Sequence, residues 1–560
     1  MGKNGMSTNA IGASSMRLWH VFASSRLVFA LSLMCGLIAG GGNAALVTLI
    51  NRSLEAGQAG KATFAPAFFV LCLLVLASSA LSMTLLSRLA QANLYNLRLW
   101  LSRRILAAPF QRLQSLGPHR LMAALTDDIG SAVDALDTLP TLFIAGSTLL
   151  AIFIYLGFLS PDLLLLVLLF LVFGIVTFRL PQSWALHWLQ LAREADNVLF
   201  GHFRAIVEGC KELKMDVRRR RAFLDEEMSG AADTFRRRRN RAWLIYVLAN
   251  RWAQSLYFIL IGLILFASPS SAEISRETLT GFTLAILFLG GPISAVVQAV
   301  PMIGTGIAAL KNIEALGLGL GGELETDSAA GFERQSASPM ILELCGVRHH
   351  YPAPKGEIGY QLGPLNLRLQ PGELVFVTGG NGSGKTTLAL LILGLFLPEA
   401  GEIKLGGQPV TKENLDSYRQ NFSAVFADAY VFDSLLGYSS DDLLAKADEL
   451  LLLLQLDRKL RIEDGRYSTV DLSRGQRKRL ALLGAYLADR PFYLFDEWAA
   501  EQDPVFREFF YQEMLPKLKA RGKTVIVITH DDRYFHLSDR LLQLTMGQLE
   551  EMRPALAASA

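Results

Sequence analysis

Five stretches of this chain run for more than about 20 residues without a single Asp, Glu, Lys or Arg: residues 27–51, 62–87, 138–161, 252–272 and 278–310. A helix that crosses a bilayer needs roughly 20 apolar residues, within about 17–25. A sixth run, 163–178, is shorter. It must continue past Arg179 toward Trp184 or let the arginine snorkel along its aliphatic stem. The excess of apolar residues is too large for buried cores alone, since 51% of the chain is hydrophobic and only 19% charged, against about 25% charged in soluble proteins. The pattern predicts six membrane spans. It excludes a disordered chain.

The connections alternate in length. The first, third and fifth are short, at 52–61, Ser160–Asp162 and about 268–277. The second and fourth, about 88–137 and 186–241, run some fifty residues each with helical patterning and few breakers. The fourth holds Arg218–Arg221 and Arg236–Arg239, which read as topology determinants and solvated helix faces that touch anionic lipid. No aromatic interleaving accompanies them, and a net charge of +3 is too balanced for a nucleic-acid binder. Cys35, Cys72, Cys210 and Cys345 form no CxxC pair, so neither a disulfide framework nor a zinc site is expected. The first 26 residues show no cleavage pattern, and the first apolar run is too long for a signal peptide, so a retained span is expected.

Residues 1–315 thus read as a membrane domain and 316–339, rich in Gly, Ser and Ala, as a linker. In 340–555, short runs such as ELVFVTG, FYLFDE and TVIVITH alternate with helical stretches. That is the pattern of an α/β ATPase with a mostly parallel sheet. Gly379-Gly380-Asn381-Gly382-Ser383-Gly384-Lys385-Thr386 follows the strand LVFVT and precedes the helical TTLALLILGL, beginning Thr386-Thr387. Backbone N–H groups of such a loop point at phosphate oxygens, and the helix N-terminus adds positive potential. Lys385 is expected to reach the β- and γ-phosphates of ATP, and the Thr386 hydroxyl to ligate Mg²⁺. The strand FYLFDE ends in Asp496-Glu497. Asp496 suits Mg²⁺ and Glu497 the attacking water, because two acids at a buried strand end are costly without a cation or a function. Six spans place both termini on one side, and the ATP requirement makes that side the cytoplasm.

Between these motifs lies DLSRGQRKRLALLGAYLADR. Leu472-Ser473-Arg474-Gly475-Gln476 resembles the signature of ATP-binding-cassette (ABC) proteins, commonly LSGGQ, with Arg474 in place of the first Gly. The resemblance implies that Ser473, Gly475 and Gln476 complete the ATP site of the opposite subunit, where a hydroxyl and a Gly permit close approach to phosphate. It further implies an adenine-stacking role for Tyr351 (a core tyrosine is the other reading), an interface role beside ATP for Asp503, and a γ-phosphate contact for His530. The family Gln that ligates Mg²⁺ is missing: Ala427 stands there, with Asp428 beside it as a replacement oxygen ligand.

Six spans, two long cytoplasmic loops and a fused cassette resemble exporter half-transporters, with a short coupling helix near Phe110–Gly117 resting on the cassette. One cassette carries half of each site, so a homodimer with two composite sites is implied. The runs LFDEWAAEQDPVFREFFY, FSAVFADAYVFDSLLG and ITHDDRYF are similar to cyclic-peptide exporters of the syringomycin and pyoverdine secretion type and to microcin exporters. These sit in bacterial inner membranes and move nonribosomal lipopeptides, peptide siderophores or their precursors. A lipid or multidrug exporter would share every ATP motif. An ATP-gated channel or regulator usually tolerates a damaged hydrolytic site, whereas Lys385, Asp496, Glu497 and His530 are all present. Arg251, with Asn250 and Gln254 beside it, and Gln298 are either groups facing a polar cavity or residues in cytoplasmic water. If Asp428 replaces the missing Gln, Asp428→Ala will lower ATPase activity or its stimulation by substrate; an unchanged steady-state assay retires the idea.

Overall fold

The computed structural model of the protein describes residues 26–266, 275–316, 340–351, 359–438 and 440–552. Nearly all of the expected linker and most of the fifth loop lie outside the described residues. The chain divides into two compact units, Met1–Trp100 with Ala123–Ala315 and Leu101–Met122 with Leu316–Ala560. Six described helices are long and apolar enough to cross a membrane.

In the membrane unit the long helices are α1 (Arg26–Glu55), α2 (Gly57–Leu106, which passes into the second unit), α4 (Leu139–Leu159), α5 (Pro161–Glu208), α6 (Ser229–Phe266) and α7 (Arg276–Ala315), while the short α3 (Phe110–Leu116) belongs to the second unit. The doubtful fourth span is one unbroken helix that carries Arg179 and Pro181 well inside it. The two long loops are helical throughout most of their length, built from continuations of α2, α5 and α6 and from short helical segments such as α3. Apolar side chains such as Phe69, Leu73 and Leu76 face outward, as a lipid solvent permits. Polar groups clamp the helices together instead. Ser32 Oγ donates to the Ser82 carbonyl at 3.2 Å and Ser82 Oγ returns a bond to the Ser32 carbonyl at 2.9 Å, joining α1 to α2. Asn51 Nδ2 donates to Tyr155 Oη at 3.2 Å and to the Glu277 carbonyl at 3.3 Å, joining α1, α4 and α7.

Among the described residues the second unit has twelve strands: β1 (Leu342–His350), β2 (Gln361–Leu369), β3 (Leu374–Thr378), β4 (Ala400–Leu405), β5 (Gln408–Pro409), β6 (Phe422–Val425), β7 (Ile462–Glu463), β8 (Arg466–Tyr467), β9 (Phe492–Asp496), β10 (Thr524–Ile528), β11 (Arg540–Thr545) and β12 (Gln548–Met552). Its main sheet has the order β12-β11-β3-β10-β9-β6, parallel except for the hairpin β11–β12. Side chains alternate across it with period two. Leu374 and Phe376 enter one core, with Tyr493, Phe495, Val525 and Val527. Val375 and Val377 enter the other, with Phe492, Leu494, Ile526 and Ile528. Burial on both faces is why these strands read as unbroken apolar runs.

The sequence reading expected one mostly parallel sheet; the structure adds an antiparallel one, β2-β1-β4-β5. It covers the second core with Leu342, Leu344, Leu365, Leu367 and Ile403. The helices of this unit that carry the argument below are α8 (Lys385–Ile392), α9 (Asp441–Leu453), α10 (Arg474–Ala488) and α11 (Pro504–Phe509). The short α3 rests its Phe110 ring 6.2 Å from that of buried Phe396. Arg112 on the same helix donates twice to the Leu316 carbonyl, at 3.2 and 3.0 Å.

Candidate ATP site

In a parallel sheet buried on both faces, polar chemistry is confined to the carboxyl ends of the strands. Three neighbouring strands end together here, with Val377 of β3 opposite Ile528 of β10 and Ile528 opposite Asp496 of β9. The phosphate loop leaves β3, Glu497 follows β9, and Thr529-His530 follows β10.

Two of the loop's glycines are required by space as well as by dihedral angle. Gly379 (φ +155°) and Gly384 (φ +104°) lie where an added Cβ would sit 2.3 Å from the Leu544 carbonyl oxygen and from Tyr360 Oη respectively. Tyr360 Oη donates to the Ser383 carbonyl and holds the loop from outside. Lys385 is buried, and its Nζ donates to the Gly379 and Gly380 carbonyls at 2.9 and 3.1 Å. Asn381 and Gly382 form the exposed tip of the loop, and Thr386 is exposed at the start of α8. Ser383 Oγ is buried without a hydrogen-bond partner, a polar atom suited to a phosphate oxygen.

Asp496 is 3% exposed. Burial first, then the Glu497 charge, push its carboxyl up to about 6, while Lys385 opposes them. Exposed Asp428 also raises it, so its charge reaches this carboxyl. Glu497 takes the left-handed conformation, φ +47°, at the strand's end. Its Oε1 lies 3.4 Å from His530 Nε2 and 3.9 Å from Lys385 Nζ. The structure therefore brings together Lys385, Asp496, Glu497 and His530, residues separated by up to 145 positions.

The signature opens α10 as a capping box: Gln476 N–H donates to Ser473 Oγ at 3.3 Å and Ser473 N–H to Gln476 Oε1 at 3.1 Å. A Cβ on Gly475 would stand 2.9 Å from the Glu501 carbonyl oxygen. Asp503 is engaged within its own cassette, where Oδ1 accepts from Phe506 N–H at 2.9 Å to cap α11 and Oδ2 pairs with Arg479. The Phe506 bond and the Arg479 guanidinium hold its carboxyl below the usual range. Tyr351 follows β1; its ring stands edge-on to His349 at 5.1 Å, and its hydroxyl is 3.3 Å from Thr387 Oγ1 on α8.

A family model described as ABC transporter matches residues 362–500. The ATP-binding protein SyrD of Pseudomonas syringae pv. syringae is 34% identical over 534 residues, which covers 92% of each chain. The chain is an ABC transporter. An ATP-dependent lipid A-core flippase of Dechloromonas aromatica is 29% identical over 316 residues, 54% of this chain and 52% of that one. In fold the transporter matches a bacterial Atm1-family ABC exporter with ATP bound, at TM-score 0.74, 17% identity and coverage of 96% and 98% of the two chains. It is a multi-pass membrane exporter whose cassette binds ATP and couples its hydrolysis to transport.

Sequence reading of this transporter missed the groups that support the site. Lys478, the fifth residue of α10 and 5% exposed, donates from Nζ to the Glu497 carbonyl at 3.1 Å. Gln502 joins the Gly475 carbonyl at 3.1 Å to Arg479 Nε at 2.9 Å. A helical lysine among arginines carries no signal of its own; only the fold shows where it ends.

The raised Asp496 carboxyl has a consequence for stability. The folded state binds this proton more tightly than the unfolded chain, so the charged form costs stability at neutral pH and acid relieves the cost. Asp496→Asn is expected to stabilise the nucleotide-free transporter by about 1–3 kcal/mol above pH 6. The advantage fades as the pH falls from about 6 toward 3.8. Melting curves of both proteins across that range check the sign.

Proposed function

We propose that the chain works as a homodimer with two composite ATP sites in a bacterial inner membrane, both termini in the cytoplasm, and exports a cyclic or nonribosomal peptide, siderophore or siderophore precursor. The observation that carries the catalytic part is the meeting of Lys385, Asp496, Glu497 and His530 at adjacent strand ends. Lys385 neutralises the β- and γ-phosphates. The loop N–H groups and Ser383 Oγ cradle them. Glu497 orients the attacking water and takes its proton, and His530, beside the same carboxylate, faces the γ-phosphate. Thr386, Asp496 and Asp428 fit Mg²⁺, which offsets charge on the phosphates; a buried carboxyl crowded by two further acids suits a dication. Each cassette offers Ser473, Gly475 and Gln476 to its partner, and Tyr351 stacks on adenine.

The peptide reading rests on the runs LFDEWAAEQDPVFREFFY, FSAVFADAYVFDSLLG and ITHDDRYF, which resemble cyclic-peptide exporters; similarity to the ATP-binding protein SyrD extends along nearly the whole chain. The lipid reading is favoured by the flippase, whose similarity covers only about half of this chain. Arg251 does not distinguish them: it is exposed and donates to Gln254 of its own helix at 3.0 Å.

Glu497→Gln is expected to lower ATP turnover by at least about 100-fold, consistent with the loss of a general base, while nucleotide still binds. Lys385→Ala weakens binding itself. Near wild-type hydrolysis by the Glu497 variant would overturn the assignment. For the substrate, the gene is deleted and cell interior, periplasm and medium are compared by mass spectrometry. A peptide or siderophore retained inside the cell supports the proposal; an unchanged distribution of all of them sinks it in favour of a lipid or drug.

A further inference from the structure

Glu497 carries its carboxylate on a backbone that L residues rarely adopt, φ +47° and ψ +35°. Something must hold that kink, because a strained residue persists only where its surroundings over-determine it. On the amino side the anchor is β10, since Glu497 N–H donates to the Ile528 carbonyl at 3.0 Å. On the carboxyl side it is a charged group: buried Lys478 donates from Nζ to the Glu497 carbonyl at 3.1 Å, with Glu501 Oε2 3.8 Å away. Lys478's own carbonyl accepts from Trp498 Nε1 at 2.9 Å, and Trp498 is 1% exposed. Two bonds of opposite direction thus tie one turn of α10 to the residue at the strand's end and the one after it.

We propose that Lys478 is a positioning residue for hydrolysis, holding the Glu497 peptide so that the carboxylate stays aimed at His530 and the phosphate loop, and binding that aim to the helix that carries the signature. The inference rests on the reading of Glu497 as the base and extends it to a residue that touches neither nucleotide nor water. A lysine is a costly way to fill this space. Burying an ammonium carries a desolvation penalty, and an apolar side chain of similar volume packs at least as well. What the ammonium adds is a directed donor at the carbonyl of a strained residue, with Glu501 Oε2 3.8 Å away and a charge that favours the ionised Asp496.

The same bond links two halves of the machinery. Residues Glu497–Gln502 run from the base to the segment that contacts Gly475, and Gln502 Nε2 grips the Gly475 carbonyl at 3.1 Å. A shift of α10 on meeting a partner cassette therefore pulls on the base of the same chain through Lys478 and Gln502.

The test uses the full-length transporter in lipid nanodiscs, with basal Mg-ATP hydrolysis and binding of a fluorescent ATP analogue as readouts. Lys478→Met keeps the volume and removes the donor. A misplacement of about 1 Å in a reacting group costs about 100-fold, so kcat is expected to fall about 10- to 100-fold, with analogue affinity within about twofold and the melting temperature unchanged or higher. Lys478→Gln, which keeps an N–H donor without the charge, is expected to recover most of that loss. The proposal is overturned if Lys478→Met hydrolyses ATP within about twofold of wild type. It is equally overturned if both variants lose affinity, kcat and melting temperature together, the mark of a merely structural lysine. A Glu497→Gln protein that still turns over would remove the underlying assignment of the base; a fall in kcat confined to the Lys478 variants would not.

Discussion

The constraint on which the catalytic half depends is that its parallel sheet is covered on both faces. Phe376 and Val377 are adjacent in sequence yet enter opposite cores. A polar group along such strands needs a partner inside the core, as Ser423 Oγ finds at the Ala485 carbonyl at 3.0 Å, and an ion is costlier still, so charge collects where the strands stop. The order β3-β10-β9 then sets three strand ends side by side, and the phosphate loop, His530 and the acid pair inherit that proximity. Two lysines from different helices offset the acid pair: Lys385 on α8 lies 3.9 Å from Glu497 Oε1, and its charge and that of Lys478 on α10 both favour the ionised Asp496.

The membrane half obeys a different solvent. Its apolar side chains gain nothing by leaving lipid for one another, so specificity passes to small residues and polar clamps. A Cβ on Gly40 of α1 would lie 1.8 Å from Ser147 Oγ of α4, and reciprocal serine bonds join α1 to α2. The short α3 joins the catalytic unit through a different device, a ring contact at Phe110 and the paired Arg112 bonds to Leu316. Those two contacts connect the first long loop to the cassette core and to the chain leaving α7.

Legibility followed the physics of each signal. The spans were readable because exclusion of charge is a local property of the chain, and even the short fourth run resolves once α5 is seen to carry Arg179. The phosphate loop was readable because its glycines are demanded by backbone geometry at fixed spacing. The antiparallel sheet was not, since β1 (LELCGVRHH) mixes polar residues into its run and pairs with segments far along the chain. Tyr351 stayed ambiguous in sequence because an adenine platform and a core tyrosine need the same ring. Lys478 was invisible among Arg474, Arg477 and Arg479, since charge type says nothing about which side chain turns inward.

From the sequence alone follow the membrane character, the fused cassette, and the candidate residues for phosphate binding and hydrolysis, because apolar length and glycine spacing are written locally. The tertiary structure decided which of those residues meet, that Asp496 is a buried acid pushed toward neutrality, and that Glu497 is held in its kink from two elements. Such properties depend on desolvation and on the distances between charges far apart in sequence. Neither exists until the sheet closes around them.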